Sequence, residues 1–205
     1  MKKLILALLV AALCMVAAPA IALDWDDVPG TATVFIEYPY VHDLGTYFDV
    51  TLVDEGQDYP GWCTQTGALS IKNSNYEATL APTIGESEEW NKVNWILNNK
   101  GGATAGEIQT AIWIVLGQGF TPGSDTAVVL DLVNSADPNF NDCSPGNIGA
   151  VLVVAVDDDE VDSQDLIIEL PCPPDDIPTP EFPTLMIPVF FVGSMLVAAS
   201  VLKKE

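Results

Sequence analysis

Between residues 31 and 82, hydrophobic residues occur in short runs that are rich in β-branched and aromatic side chains, and polar residues separate these runs. Such runs, separated by turns containing Gly, Asp and Asn, are typical of β-strands. The pattern predicts strands over residues 31–38, 46–53, 67–71 and 76–80. Residues 54–58 form a polar turn leading into the Pro-Gly segment 59–64, to which no strand is assigned.

The hydrophobic period changes from two to nearly four between residues 86 and 134, which indicates helices. A first helix is predicted over residues 86–99, ended by two glycines. Thr104 and Glu107 have the spacing of a capping box, so a second helix is expected to begin there and run to Gly117. Ser124 or Asp125 is expected to cap a third helix that ends near residue 134.

Strand character returns over residues 148–156 and again over 164–170. Strands, then a group of about three helices, then strands again predict an α+β fold. We expect an antiparallel β-sandwich or β-barrel core into which the helices are inserted, followed by a membrane-spanning helix at the C-terminal end.

The two ends of the chain are strongly apolar. Residues 1–22 carry a basic start, an apolar run and a small-residue cleavage site, which together indicate a secretory signal peptide. Residues 184–202 form a charge-free run that is long enough to cross a membrane. We therefore expect a surface domain over residues 23–171, a proline-rich acidic linker over 172–181 and a C-terminal anchor over 182–205. The domain is expected to be exported and to face outward.

The chain carries a formal net charge of −22 and contains no arginine. Phosphate binding requires the opposite sign of charge, so a nucleic-acid partner is not expected. The abundance of carboxylates is typical of a protein kept soluble in a salty medium.

A short motif precedes the C-terminal apolar run. Pro180, Glu181 and Phe182, followed by the apolar span and two lysines, resemble the PEF-CTERM sorting signal of archaeal surface proteins. The resemblance implies an archaeal source and an archaeosortase-like processing enzyme as a partner, which would replace the span with a lipid anchor. The alternative is an ordinary single-span anchor in the membrane.

Three cysteines lie beyond the predicted signal peptide, namely Cys63, Cys143 and Cys172. An odd number in a compartment that permits disulfides leaves one of them unpaired, intermolecularly paired or otherwise engaged.

The second predicted helix contains a glutamine among residues that look buried. Gln109-Thr110-Ala111-Ile112-Trp113 matches the Gln-x-Ala-apolar-Trp pattern of surface thioester domains, and Trp62-Cys63 matches their upstream aromatic-cysteine pair. The chain thus resembles these adhesin modules over residues 62–113. The positions after the cysteine, Thr64 and Gln65, depart from the family's apolar-Asp/Asn pair.

The resemblance implies an internal thioester between the Cys63 sulfur and the Gln109 acyl carbon, used to attach to an amine or hydroxyl on a surface or matrix target. Trp62, Ala111 and Trp113 are expected to line its pocket. Cys143 and Cys172 flank the last hairpin and can pair with each other, which would leave Cys63 for the thioester; pairing of Cys63 with one of them is the alternative. The reaction is used once, so no enzyme turnover is expected.

The sequence is also compatible with two other functions. One is a non-covalent envelope or binding module with the same fold and no thioester. The other is a surface hydrolase in which Cys63 is the nucleophile and His42, the only histidine of the chain, is the base. An exposed loop position is the more common setting for a single histidine, and proton transfer to an attacking nucleophile is its functional alternative.

An acidic segment follows the predicted strand at residues 148–156. Asp157, Asp159 and Asp162 offer the hard oxygen ligands that calcium prefers, but their spacing lacks the glycine and periodicity of an EF-hand. A solvated hairpin turn is the favoured interpretation, and no other metal or cofactor is expected.

Overall fold

A computed structural model describes residues 25, 28–38, 41–43, 45–67, 71–119, 125–156 and 164–173. The predicted signal peptide, most of the linker, the C-terminal span and the motif Pro180-Glu181-Phe182 lie outside this part. The acidic segment with Asp157, Asp159 and Asp162 lies outside it as well. Within these ranges, no helix has the length and apolar character that a membrane crossing requires.

Six antiparallel strands of the described chain close into a barrel, in the order β1-β2-β3-β6-β5-β4. The sequence left a sandwich and a barrel open, and the barrel is correct. The bounds are β1 Thr31–Phe35, β2 Phe48–Leu52, β3 Gln57–Cys63, β4 Tyr76–Pro82, β5 Ile148–Ala155 and β6 Leu166–Pro171.

Three helices are inserted between β4 and β5, as the hydrophobic period predicts. They are α1 Glu88–Asn98, α2 Ala105–Val115 and α3 Thr126–Ser135. The N-caps are Ser87, Thr104 and Asp125, and the side-chain oxygen of each accepts a backbone N–H from the first turn of its helix. The capping box is present, because the Glu107 carboxylate also accepts the Thr104 N–H at 2.7 Å.

Strand β3 was missed by the hydrophobic pattern. It contains Pro60 and Gly61, two residues that strands usually avoid. Gly61 pairs with Phe48 on β2, and a Cβ at Gly61 would lie 2.6 Å from Val50 Cγ2 and 2.8 Å from Phe48 Cε2. The bare glycine therefore makes room for large side chains inside the barrel, a requirement set by tertiary packing and not by local propensity.

Two apolar clusters form the core. One fills the barrel interior and includes Cys63 and Trp113. The other lies between the barrel wall and the three helices and includes Trp62, Ala111 and Ile112. Successive residues of a strand point to opposite faces, so Trp62 contacts the helical layer while Cys63 belongs to the interior.

Helix α1 is joined to the barrel by asparagine side chains. Asn94 Oδ1 accepts the Ala150 N–H at 2.7 Å, and Asn98 Oδ1 accepts the Ile148 N–H at 2.7 Å. The Asn98 amide group also donates to the Ile148 carbonyl at 2.7 Å. These bonds fix the helical layer on β5 and so set where α2 meets β3.

Candidate functional site: the junction of Cys63 and Gln109

Gln109 lies in the second turn of α2 and has no solvent-exposed surface. Its neighbours from Glu107 to Trp113 are all buried, because this segment is wedged between the barrel and the other two helices. A buried primary amide must find partners for both its oxygen and its nitrogen. The structure supplies both from one residue of β3.

That residue is Cys63. Gln109 Oε1 accepts the Cys63 backbone N–H at 2.8 Å, and Gln109 Nε2 donates to the Cys63 carbonyl at 2.7 Å. The side-chain amide thus bonds to the last residue of β3 as a neighbouring strand would. The structure brings together the two residues that the sequence singled out, 46 positions apart in the chain.

The arrangement has a chemical consequence for the Gln109 acyl carbon. A backbone N–H directed at the amide oxygen polarises the C=O bond and stabilises negative charge that develops on this oxygen. The residue that provides this N–H also carries the thiol. Cys63 therefore combines a nucleophile with a donor for the carbonyl it would attack.

The Cys63 thiol itself is buried and is not part of a disulfide. Burial disfavours the thiolate and raises the pKa of Cys63 from its ordinary value of 9.0 to about 12, although a hydrogen bond with the Gln164 side chain partly opposes the increase. The residue is therefore a neutral thiol at neutral pH. Cysteine nucleophiles of hydrolases have the opposite character, with a lowered pKa.

Gln164 is a site residue that the sequence reasoning did not single out. It lies just before β6, is 5 % exposed, and forms hydrogen bonds with the Cys63 thiol and, through Nε2, with the Gln65 carbonyl. The sequence carried little signal for it, because Gln164 stands between two other polar residues, Ser163 and Asp165, at the start of the predicted strand. Only the pairing of Cys63 with Leu166, two residues further along, shows that Gln164 reaches the thiol.

Thr64 and Gln65, where the family pattern is broken, continue the pairing of β3 with the segment before β6. The Thr64 N–H and hydroxyl both donate to the Asp165 carbonyl, at 3.2 and 2.7 Å. Burial raises the pKa of the nearby Asp165 carboxyl. The unusual pair therefore fixes the end of β3 in register beside Cys63.

The three residues expected to line the pocket are distributed over two faces. Trp113 lies in the barrel cluster with Cys63, and its ring packs edge-to-face on Tyr47 with centroids 6.0 Å apart. Trp62 and Ala111 are fully buried in the layer between the barrel and the helices.

Trp62 is held on that outer face by a charged pair. Its Nε1 donates to Glu169 Oε1 at 2.7 Å, and the Lys100 ammonium group contacts both Glu169 oxygens at 2.5 and 2.7 Å. Glu169 is buried and Lys100 is partly exposed. The Lys100–Glu169 ion pair connects the loop between α1 and α2 to β6, beside the strand that carries Cys63.

His42 lies on the exposed loop between β1 and β2, where its carbonyl accepts the Gly45 N–H at 2.9 Å. Among the described residues, no hydrogen bond or ion pair connects His42 with Cys63. The structure therefore does not place it as a base for this thiol.

Cys143 and Cys172 are joined by a disulfide, with their Cα atoms 5.1 Å apart. This pairing leaves Cys63 as the free cysteine in the described part of the chain. Within the same ranges there is no group of three or more His, Cys, Asp or Glu side chains that could hold a metal ion.

No family model matches the chain, and no curated protein matches it either. Solved structures with a similar fold include the N-terminal thioester domain of a surface protein from Clostridium perfringens, at 11 % identity and a TM-score of 0.43, covering 67 % of this chain and 97 % of that one. Another is the N-terminal thioester domain of a protein F2-like fibronectin-binding protein from Streptococcus pneumoniae, at 13 % identity and a TM-score of 0.43, covering 74 % and 96 %.

Proposed function

We propose that this protein is an exported surface domain that forms a thioester between Cys63 Sγ and Gln109 Cδ and uses it to attach covalently to its target. The observation that carries the proposal is the pair of hydrogen bonds between the Gln109 amide and the Cys63 backbone, within a buried site. Holding the two reacting residues together replaces an encounter in solution with a reaction between groups already in position.

Thioester formation exchanges one acyl bond for another. The Cys63 sulfur attacks Gln109 Cδ, the carbon–nitrogen bond breaks, and the thiol proton leaves with the amide nitrogen as ammonia. The Cys63 N–H stabilises the oxygen during the attack. The high pKa of the thiol means that deprotonation and attack occur together, since a free thiolate is disfavoured in this site.

In target attachment the Cys63 sulfur is the leaving group, whereas in thioester formation it is the nucleophile. An amine or hydroxyl attacks the thioester carbon, the carbon–sulfur bond breaks, and the nucleophile's proton passes to the departing Cys63 sulfur. The product is an amide or ester of Gln109 and a free thiol. Because the acyl group is consumed, each molecule reacts once and does not turn over.

Burial explains how such a bond would survive until it meets a target. Gln109 has no exposed surface and Cys63 is 6 % exposed, so water has little access to the acyl carbon. A sulfur with a pKa near 12 also leaves poorly unless it receives a proton. Both factors slow hydrolysis and favour a nucleophile that is brought into the site.

Export and anchoring form part of the proposal. Export is supported by the signal-like residues 1–22. Attachment to the membrane, directly or through a lipid added by an archaeosortase-like enzyme, is supported by the motif Pro180-Glu181-Phe182 and the apolar run after it. The Cys143–Cys172 disulfide is also typical of an oxidising, extracellular compartment.

The second candidate is a non-covalent surface module of the same fold. The observation in its favour is that the Gln109 amide is already satisfied by two hydrogen bonds without any covalent link. Cysteine-dependent hydrolysis has less support, because burial raises the pKa of Cys63 and, among the described residues, no hydrogen bond or ion pair connects His42 with Cys63.

Intact mass of the natively purified domain separates the two candidates. The thioester predicts a mass lower than the sequence mass by one ammonia, and methylamine treatment should raise it by one methylamine. Cys63→Ala and Gln109→Ala should show the full mass and no methylamine uptake. Gln118→Ala, which changes an exposed glutamine just after the same helix, is the matched control and should behave as the unmodified protein does. A full mass in the unmodified protein would favour the non-covalent module.

A further inference from the structure

One buried polar atom near the junction has no partner. Trp113 is 8 % exposed, and its indole N–H is the only buried side-chain nitrogen or oxygen atom in the described chain without a hydrogen bond. Buried donors are almost always paired because the loss of hydration otherwise destabilises the fold. An unpaired one in a native core therefore requires a reason.

The helix places this indole beside Gln109. Trp113 follows Gln109 by four residues on α2, so the two side chains share one face of the helix. Side chains on a helix lean toward its N-terminus and cover the preceding turn. The indole of Trp113 therefore lies over the turn that carries Gln109, and it belongs to the same packed cluster as Cys63.

The Gln109 oxygen has capacity for a further donor. In the resting site it accepts one hydrogen bond, from the Cys63 N–H at 2.8 Å. When sulfur or an amine adds to Cδ, the carbon becomes tetrahedral and the oxygen carries a negative charge. A charged oxygen accepts two or more strong hydrogen bonds and gains most from donors that are already fixed in place.

We propose that the indole N–H of Trp113 is the second donor to the Gln109 acyl oxygen in the tetrahedral intermediates of thioester formation and target attachment. With the Cys63 N–H it forms a two-donor oxyanion hole. The indole lacks a partner in the resting state because its partner is the charge that appears only during reaction, and interactions made only then accelerate the chemical step. This inference rests on the proposed thioester.

The competing role for Trp113, which the sequence analysis expects to line the pocket, is to shield the thioester from water. The two roles predict different effects: loss of the N–H alone matters only to a donor, and loss of size matters to a shield. A shield that becomes smaller admits water and amines, so hydrolysis and aminolysis become faster. A lost donor destabilises the intermediate, so both reactions become slower while the resting thioester lives longer.

The direct test replaces Trp113 with benzothienylalanine, in which sulfur occupies the position of the indole N–H and the shape is retained. Trp113→Phe is a second variant made from ordinary residues, and Trp95→Phe, a half-buried tryptophan of α1, is the matched control. Thioester formation after refolding and the second-order rate constant for methylamine are followed by intact mass, and near-ultraviolet circular dichroism verifies that each variant is folded.

The proposal predicts that the benzothienylalanine variant reacts with methylamine about 100-fold more slowly than the unmodified protein. This is the usual effect of losing one oxyanion donor. Formation of the thioester should slow by a similar factor, and Trp95→Phe should match the unmodified protein. Rates that are unchanged or faster in the folded benzothienylalanine variant would overturn the role of Trp113 and leave the thioester standing. Absence of ammonia loss from the unmodified protein would overturn both.

Discussion

Two junctions join the helices of this protein to its barrel by similar bonds. At one, the Asn98 amide bonds to the N–H and carbonyl of Ile148 on β5. At the other, the Gln109 amide bonds to the N–H and carbonyl of Cys63 on β3. The two differ in the side chain of the strand residue, which is a hydrocarbon in one case and a thiol in the other.

The comparison distinguishes the attachment of a helix to the barrel from the reaction of its side-chain amide. A side-chain amide that bonds to both polar groups of a strand residue fastens a helix to a sheet, and the Asn98 junction shows that this works without any reaction. At the Cys63 junction the same bonds additionally hold an acyl carbon beside a nucleophile and polarise its oxygen. Asn98 therefore provides an internal control for Gln109.

The largest expected effect comes from deleting each amide in turn. Gln109→Ala should abolish ammonia loss completely, whereas Asn98→Ala should retain it. Both variants leave backbone groups without partners, so each should lose about 1–3 kcal/mol of unfolding free energy. Intact mass and urea denaturation measure the two effects separately. Loss of the mass deficit in a folded Asn98→Ala variant would show that the deficit does not report on Gln109.

The ionisation of Cys63 is the next effect in size. In Gln109→Ala, alkylation of the thiol should keep rising about tenfold per pH unit through pH 10, because burial raises the pKa from 9.0 to about 12. The neutral thiol is the form favoured by the fold. Its contribution to stability should thus be present below pH 9 and be lost as the pH rises toward 12.

The same variant in denaturant is the control, and its alkylation rate should level off near the ordinary pKa of cysteine. A plateau near pH 9 in the folded variant would contradict the buried, neutral state of the thiol.

Strand β3 can be tested through Gly61. Gly61→Ala should destabilise the protein by about 1–3 kcal/mol, because the new methyl group would overlap Val50 and Phe48 inside the barrel. Gly30→Ala is the matched control, since a Cβ there meets nothing within 4 Å. Thermal unfolding measures both. Equal stability of the two variants would mean that the close approach of β2 and β3 is wrong.

The smallest expected effect concerns Gln164, which has no counterpart at the Asn98 junction. Its hydrogen bond lowers the pKa of the Cys63 thiol, so Gln164→Ala should make the sulfur a poorer leaving group. One hydrogen bond of about 1 kcal/mol corresponds to a roughly fivefold slower reaction of the thioester with methylamine. Gln65→Ala, which retains the carbonyl that Gln164 contacts, is the control. A faster reaction in Gln164→Ala would contradict this role.

Local signals in the sequence accounted for the helices and for much of the barrel. The capping box of Thr104 and Glu107 marks the start of α2, and runs rich in β-branched and other apolar residues mark β1, β2, β4 and β5. These features act within a few residues of the chain, so they can be read from it.

What the sequence did not reveal depends on contacts between distant segments. Strand β3 was not predicted because Pro60 and Gly61 have low strand propensity. The need for a small residue at position 61 arises from Phe48 and Val50 on the neighbouring strand. The position of Gln164 beside the Cys63 thiol follows only from the register of β3 with β6. The missing partner of the Trp113 indole is likewise visible only when every buried donor has been assigned a contact.

The central claim is tested most directly by locating the site of methylamine addition. The folded protein is treated with methylamine, its newly exposed thiols are alkylated, and the digested peptides are sequenced by tandem mass spectrometry. We predict N-methylglutamine at residue 109 and an alkylated thiol at residue 63, with Gln118 and the residues around Asn98 unmodified. An unmodified Gln109 in protein that was folded throughout would contradict the account.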